Sequence, residues 1–387
     1  MQLKTIVIKN YRSIENETIK LEDIAGNFTY TLIGINESGK SSFLKAIALK
    51  DGLETVVTND FYDPKTPISI LFNYHLTPDD QKMIKDSLIA GGISEDTAGK
   101  SIIEALSINV FVEPSDPTNI KKDIELKWKN DGKENQEKDT IDNFIKTNLL
   151  NAVLELSHKV IFWKSETRFL ITEPINLEEF LNNPEGISIP LMNCFELAEC
   201  SIQEDIGKIR GNPAEVKNLA SKLSDKVTAH IKRVWPGHKV KIEFQIDNMF
   251  LTFLIEDEGV KYNAKITSQR SDGFKQFISF LLTISAQNST GKLSNTILLL
   301  DEPETHLHPK GQENLRDELI TITSGNANNI CIFATHSNYM IDKEHLDRCF
   351  RLVKEDNQKT KMFPVDGQSS SYSEVNYVVF DVPTSDY

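Results

Sequence analysis

Four scarcities bound what this chain can be. It has 4 cysteines in 387 residues, Cys194, Cys200, Cys331 and Cys349, with no C-x-x-C spacing, and Cys331 stands inside an apolar strand-like run. That pattern argues against a disulfide scaffold or a cysteine-held zinc and reads as buried, reduced thiols. No apolar run approaches the roughly 20 residues of a membrane span, and the start, MQLKTIVIKN, alternates like a strand instead of showing a charged region, an apolar core and a cleavage site. A cytosolic protein with no membrane partner is expected. Positive charge is scarce too: 43 Lys and Arg against 57 Asp and Glu leave a net charge of −14. Such a balance disfavours a surface built throughout for nucleic acid, although a local basic groove fits inside an acidic total. Sustained heptads are also missing, which argues against a long coiled coil.

What the chain does have is a hydrophobic share of 39%, enough to build cores for the two or three domains its length allows. Its organising stretch is Phe28 to Ala48, FTYTLIGINESGKSSFLKAIA, which reads as strand, glycine loop and helix. Gly34, Gly39, Lys40 and Ser41 fit G-x-x-x-x-G-K-[ST], the phosphate loop, with an apolar run from Tyr30 to Ile33 before it and helix formers after it. The glycines let successive N–H groups turn inward at a helix N-terminus, a concave nest that suits a triphosphate. Lys40 is expected to reach the β and γ phosphates of ATP and Ser41 to ligate Mg²⁺. Asn36, Glu37, Ser38 and Ser42 are expected to complete the nucleotide contact.

Strands are predicted at Leu3 to Lys9, Thr18 to Leu21 and Phe28 to Ile33, then a helix from Ser41 to about Lys50. Ile68 to His75, Ser107 to Val112 and Asp123 to Trp128 predict strands that extend the first lobe. Between them, Pro78 to Leu106 is helix-prone but interrupted at Gly91 and Gly92, and Lys129 to Asp139 is a charged loop. Leu177 to Val234 predicts a helical insertion, broken at Pro184, Pro190 and Gly211 to Pro213 and stopped by Trp235-Pro236. Val240 to Ile246 and Met249 to Ile255 make a hairpin, with Lys261 to Ile266 as a candidate third strand.

Thr296 to Leu300 is a continuous apolar run, the mark of a central parallel strand covered on both faces, and it ends in Asp301-Glu302. Two acids ending a strand are commonly just solvated. Behind a phosphate loop they read as a Walker B pair, Asp301 in the Mg²⁺ shell and Glu302 as the general base that polarises the attacking water. Ile330 to Ala334 is a second buried-strand pattern, which delivers Thr335, His336 and Ser337 to the carboxyl edge where α/β ligands bind. His336 is therefore expected to sense the γ phosphate, its two neighbours being weaker candidates. Ser271, Asp272 and Gly273 open an apolar helix, Phe274 to Ser285. By itself this is a helix cap. Between phosphate loop and Walker B, Ser271, Gly273 and the helix N-terminus are expected to meet a triphosphate held by another subunit. His306 and His308, two apart, would not share a helical face, and Pro309 suits the first residue of a helix to about Thr323, so metal binding by them is disfavoured.

The motifs GINESGKSS, RSDGF, LLLDEPETHLHP and ATHS, in this order, resemble ABC-type head ATPases over most of the chain. The opening IKNYRSIENETIKL and the DEPETHLHP form are similar to the branch of RecF, SMC and Rad50 heads, and more closely to the OLD-family-like ATPases of bacterial antiphage systems. The resemblance implies an α/β fold: a P-loop NTPase with an ABC-ATPase-like head, a mixed-sheet core, an antiparallel β lobe and a helical insertion. It implies two heads sandwiching two ATP molecules, a homodimer or higher oligomer. It also implies that Arg12 contacts phosphate or adenine from the end of the first strand, and that Glu304 to Leu307 form a subunit-facing loop. The expected division is 1–75 for the N-terminal part of the head, 76–238 for a β extension and helical insertion, and 239–387 for the C-terminal part. There are departures. More chain separates Lys40 from Ser271 than in transporter heads, the heptads of SMC and Rad50 are missing, and there is no clear glutamine loop, Asn59-Asp60 being the candidate for its place.

Three readings of what ATP hydrolysis drives follow. The favoured one is the ATPase subunit of an antiphage complex that senses an invader and controls a separate effector, a nuclease or toxin. The second is the ATPase portion of an OLD-type nuclease whose TOPRIM domain lies beyond this chain, and the third is a RecF-like DNA-repair clamp. A TOPRIM nuclease needs a glutamate after an apolar strand and a D-x-D pair to hold two metals, and D-x-D occurs nowhere in this sequence. The repair reading calls for a basic DNA-facing surface, which the acidic total disfavours. The end, EVNYVVFDVPTSDY, begins as a strand-like run and stops at Tyr387 without polar fraying, so a continuation into a C-terminal helical part is expected.

Overall fold

The computed structural model describes residues 1–92, 94–95, 101–130, 149–163, 169–355 and 358–365. Most of the charged segment from Lys129 to Asp139 and all of EVNYVVFDVPTSDY lie outside them.

Alternating apolar residues turn one face of β1 (Gln2–Tyr11) into the core, and β2 (Ile14–Lys20) returns antiparallel beside it. β3 (Thr29–Ile33) is buried along its whole length and runs through the loop at 34–39 into α1 (Lys40–Ala48). β4 (Ile68–His75) pairs with β1, and after α2 (Pro78–Ala90) come β5 (Ser101–Val112) and β6 (Ile120–Asn130), which complete an antiparallel sheet of order β2-β1-β4-β5-β6. The stretch up to Leu106, read from the sequence as helix-prone, is thus strand from Ser101 on. Gly91 and Gly92 end α2, and Leu106 pairs with Tyr74 on one side and Leu126 on the other.

After α3 (Leu150–Leu156) and β7 (Lys159–Trp163), the two-residue β8 (Ile175–Asn176) leads into α4 (Leu177–Asn182), α5 (Pro184–Ile187), α6 (Ile189–Leu197), α7 (Ile202–Ile209) and α8 (Pro213–Val234). Each of these last five opens on a side-chain cap, from Asn176, Asn183, Ser188, Ser201 and Asn212 in turn, which is why the chain breaks where it does. β9 (Val240–Asp247) and β10 (Phe250–Asp257) form the expected hairpin. The third strand, β11 (Lys265–Ile266), has only two residues, because Tyr262 takes a left-handed turn (φ 57°) and Asn263 bonds back to the Asp257 carbonyl. α9 (Asp272–Phe280) continues into a π turn (Leu281–Ser285) and α10 (Ala286–Ser289).

The remaining strands, β12 (Thr296–Asp301), β13 (Ile330–Ala334), β14 (Cys349–Lys354) and β15 (Thr360–Pro364), with α11 (Pro309–Thr323) between the first two, complete the sheet that carries the site. Its order is β15-β14-β3-β13-β12-β7, parallel except for β15. Alternate residues of β12 and β13 face two cores. Ile297, Leu299, Ile330 and Ile332 join the core shared with α1 and the antiparallel sheet, while Leu298, Leu300, Cys331 and Phe333 join that of the helical insertion and hairpin. The boundaries expected at 75 and 238 therefore do not divide the sheets: β5 and β6 finish a sheet begun by β1, and β7 joins the site sheet. Lys50 Nζ donates to the His158 carbonyl at 2.7 Å and Val160 N–H to Asp51 Oδ2 at 2.7 Å, tying the end of the α1 segment to β7. Among the described residues no helix is long and apolar enough to cross a membrane.

Candidate active site

Parallel pairing brings the carboxyl ends of β3, β12 and β13 to one edge of the sheet. The loop after β3 takes left-handed backbone at Glu37 (φ 62°) and Gly39 (φ 106°). A Cβ at Gly34 would collide with the Leu352 carbonyl, and one at Gly39 with Thr360, so β14 and β15 press the loop from outside and leave room for glycine alone. Thr360 is buried and donates from Oγ1 to the Ser38 carbonyl at 3.0 Å, and it shares a 2.8 Å hydrogen bond with Ser13 Oγ. Lys40 is buried as well, its Nζ donating to the carbonyls of Gly34 (2.8 Å) and Ile35 (3.1 Å). Burial pushes its ammonium down to about 8, against the pull of Glu302, Asp301 and Glu304. Ser38 Oγ, on a residue 1% exposed, has no hydrogen-bond partner. A desolvated cation and an orphaned hydroxyl within a glycine-lined loop fit a polyanion.

Ser41 Oγ donates to Asp301 Oδ1 at 3.0 Å, bringing together the two groups from which a divalent-cation shell is built. Burial raises the Asp301 carboxyl, and the hydrogen bond from Ser41 opposes it. Glu302 sits at φ 48°, a left-handed conformation unusual for a side chain of its size, fixed by its N–H donating to the Ala334 carbonyl at 3.0 Å. Its Oε1 lies 3.3 Å from His336 Nε2. His336 is held below the usual imidazole range by burial first and Lys40 second, against the pull of Glu302 and Asp301. In the neutral form with its proton on Nε2 it donates to Glu302. Thr335 is fully buried and donates to Glu304 Oε1, which also accepts the His336 N–H at 3.1 Å. Ser337 donates to Gln312 Oε1, so neither neighbour of His336 offers its hydroxyl to the cleft.

Arg12 turns left-handed (φ 51°) between β1 and β2 and is gripped by the buried Asp60: Nε to Oδ1 at 2.8 Å, and backbone N–H to the Asp60 carbonyl at 2.7 Å. Asp60 thus holds Arg12 at the rim in place of reaching the phosphate loop. Arg12, Asn36, Glu37, Ser38, Gly39, Lys40, Ser41, Ser42, Glu302 and His336 line one cleft of about 410 Å³ together with Ser13 and Lys354. Asp301 stands behind it, reached through Ser41.

Ser271 and Gly273 line a different cavity. Ser271 is exposed and caps α9, its Oγ accepting the Phe274 N–H at 3.4 Å. Gly273 is buried against the loop after Glu302, where any Cβ would strike the His306 carbonyl, and Gln276 Nε2 donates to the Pro303 carbonyl at 2.6 Å. Of the segment expected to face a second subunit, Thr305 and His306 are exposed, whereas Glu304 and Leu307 are buried, Glu304 because its carboxylate orders Thr335 and His336.

Sequence reasoning passed over Ser13, Lys354, Thr360 and the inward role of Glu304. Lys354 and Thr360 lie on β14 and β15, which no motif marked. The one available signal for Glu304 was an acid set immediately after Pro303 in a strand-ending loop.

Residues 30–342 match the family model described as "AAA domain, putative AbiEii toxin, Type IV TA system". The Old nuclease of Escherichia phage P2 is 24% identical over 401 residues, an alignment covering 92% of this chain and 60% of that protein. An uncharacterized protein of Methanocaldococcus jannaschii is 28% identical over 137 residues, 34% of this chain and 35% of the other. The chain thus spans no more than 60% of the length of these curated relatives. Among solved structures, the SmcHead bound to the C-winged helix domain of ScpA superposes with a TM-score of 0.53 at 12% identity, covering 94% of this chain and 99% of that one. The Smc head domain with an extended coiled coil, bound to the C-terminal domain of ScpA derived from Pyrococcus furiosus, gives 0.52 at 13% identity, covering 95% and 97%. At such identities the likeness is one of fold: an SMC-type head.

Proposed function

We propose that this chain, which belongs to the AAA-domain family whose model spans most of it and is an ATPase-type head related to SMC heads and the Old nuclease, hydrolyses ATP between two copies of itself. In this reading the cycle controls a separate toxic effector in cytoplasmic antiviral defence. The observation that carries the reading is the one cleft where Lys40, the Ser41–Asp301 pair and the Glu302–His336 pair meet. MgATP enters as substrate. The loop N–H groups and Lys40 take its β and γ phosphates, the ammonium exchanging two loop carbonyls for charged oxygens. Ser41 and Asp301 hold the Mg²⁺ that travels with the nucleotide and spreads the developing charge. Glu302 accepts a proton from the attacking water as the new P–O bond forms and the bond to the β-phosphate oxygen breaks, and His336 turns its Nε2–H from Glu302 toward the γ phosphate.

Ser271 caps its helix outside this cleft, which supports a site completed by the N-terminus of that helix from a second copy. Hydrolysis per head should then rise with protein concentration until the pair is saturated. A turnover number constant over a hundredfold dilution would sink the composite site. The family description names a putative toxin of a toxin–antitoxin system, which supports a toxin context for this chain.

The alignment along 92% of this chain to the Old nuclease favours a second reading, the ATPase part of a nuclease. Against residence of the cutting chemistry here stands the lack of any D-x-D pair in the sequence. Purified protein with Mg²⁺ or Mn²⁺ should leave DNA intact. Cleavage that survives repurification and is lost with a point mutation in this chain would favour the nuclease.

A further inference from the structure

Glu302 and His336 stand at neighbouring strand ends, and two ties of opposite direction hold them there. The first runs from β12 to β13, where the Glu302 N–H donates to the Ala334 carbonyl at 3.0 Å. The second returns from the loop after β12: Glu304 Oε1 accepts both the Thr335 hydroxyl and the His336 N–H, the latter at 3.1 Å. Thr335 Oγ1 in turn accepts the Ser337 N–H at 2.9 Å, so the turn from Thr335 to Ser337 is wound on a hydroxyl that Glu304 anchors. Between the two ties the side chains meet, His336 Nε2 at 3.3 Å from Glu302 Oε1.

Solvation does not account for an acid at this place. Glu304 is 5% exposed, and Thr335 is sealed altogether. Its second oxygen, Oε2, is buried without a hydrogen-bond partner, and burial lifts the carboxyl above its ordinary value against the bonds it accepts. Burying an acid and orphaning half of it disfavours the fold, and an apolar side chain of the same length would avoid both costs. Such a side chain could not accept two donors with one atom, and those donors fix the backbone from which the His336 ring projects. Which ring nitrogen carries the proton follows from what each one meets. With the backbone held, Nε2 meets the Glu302 carboxylate and keeps the proton; once the turn is free, either nitrogen can face it.

We propose that Glu304 is a positioning residue for hydrolysis: it holds the Thr335–Ser337 turn so that neutral His336 keeps its proton on Nε2, between Glu302 and the γ phosphate. Glu304 is not among the residues lining the cleft and acts through His336 alone. The kinetic consequence rests on the ATPase reading, whereas the ordering of the ring needs no nucleotide.

Glu304→Met keeps the length and removes both oxygens, and Glu304→Gln restores an acceptor. In Glu304→Met, turnover at saturating MgATP should fall roughly 10–100-fold while ATP affinity changes by less than about threefold. Glu304→Gln should stay within about threefold of the parent in both. With the ring removed by His336→Ala, adding Glu304→Met should cost no more than about a further twofold, whereas a residue serving only the fold would lower both backgrounds alike. Nitrogen NMR of histidine-labelled protein without nucleotide reads the ring itself, His336→Ala assigning its signal. One Nε2–H tautomer is expected in the parent and in Glu304→Gln, and a mixture in Glu304→Met. Should Glu304→Met fail to fold, Thr335→Val keeps the shape, removes the donor and should show the same pattern more weakly. The proposal is overturned by parental turnover in Glu304→Met, by an equal loss in Glu304→Gln, by an undiminished loss in the His336→Ala background, or by an unchanged tautomer. A parent that hydrolyses no ATP strikes the ATPase reading instead, and the tautomer then decides the role of Glu304.

Discussion

Lys40 is a lysine kept from water among carboxylates, and its titration near pH 8 makes nucleotide binding a proton-linked event. Above about 8 the free protein loses the ammonium, whereas a bound triphosphate would restore it. Affinity for MgATP should therefore fall by roughly tenfold per pH unit beyond that point, with proton uptake on binding. Calorimetry at pH 8.5 in two buffers of different ionisation enthalpy checks this, and identical heats would refute it. The linkage to stability runs the other way. An unfolded lysine keeps its proton to about 10.5, so between about 8 and 10.5 the unfolded state holds more protons and the fold gains stability as pH rises. Lys40→Ala should abolish ATP binding, while Glu302→Gln, which keeps size and removes the base, should bind ATP, leave it intact and hold two heads together in light scattering with Mg²⁺. Free dissociation of that variant with ATP bound would contradict the mechanism. These residues were legible because phosphate chemistry demands particular side chains at fixed offsets. Glu304 was not, since an acid in a surface loop reads as solvated until Thr335 and His336 are seen bonded to it.

Between elements, the start of α9 and the loop after β12 are packed backbone to backbone at Gly273. Gly273→Ala should cost roughly 1–3 kcal/mol by overpacking and should lower turnover more than ATP affinity, because the displaced loop carries Glu302. Steady-state kinetics beside a melting curve separate the two effects, and an unchanged melting temperature would show that the loop yields freely. The π turn that follows is stapled to the helical insertion: His230 Nε2 lies 3.1 Å from the Leu281 carbonyl and Asn193 Nδ2 donates to that of Leu282 at 2.9 Å. Burial first and Arg233 second hold His230 down at about 4, so it contributes stability above the unfolded value of 6.5 that is lost as pH falls from 6.5 toward 4. His230→Gln keeps a donor and removes the titration; its melting temperature should drop less between pH 7 and 5 than that of the parent, and equal drops would discard this account. The start of the helix Pro309–Thr323 could be read to the residue, because proline at its first position is a backbone signal. β7 escaped notice because its four apolar residues, Val160 to Trp163, coming soon after Leu150–Leu156, look the same as more helix.

At the scale of the molecule, the order of motifs made the architecture legible, but not how it is woven. β3 lies between β13 and β14, and the phosphate loop is walled by Leu352 and Thr360 from strands that no periodicity announced. A chain ended at Arg348 keeps every motif residue yet should bind no ATP, having lost the wall against Gly34 and Gly39. Retained binding in equilibrium dialysis would mean that the loop shapes itself. The same weave bears on synthesis. Residues that open the nucleotide site leave the ribosome early, and the strands that close it leave roughly 300 residues later; at 5–20 residues per second the interval is on the order of tens of seconds. Throughout that time β3, buried on both faces in the finished fold, has neither neighbour in the sheet. ATP cannot assist folding during that wait, because the pocket that would hold it does not yet exist. The nascent chain must keep an unpaired, sticky strand from meeting others of its kind on the same polysome, and a shortage of chaperone should show first as aggregated product, before any loss of activity in the molecules that finish.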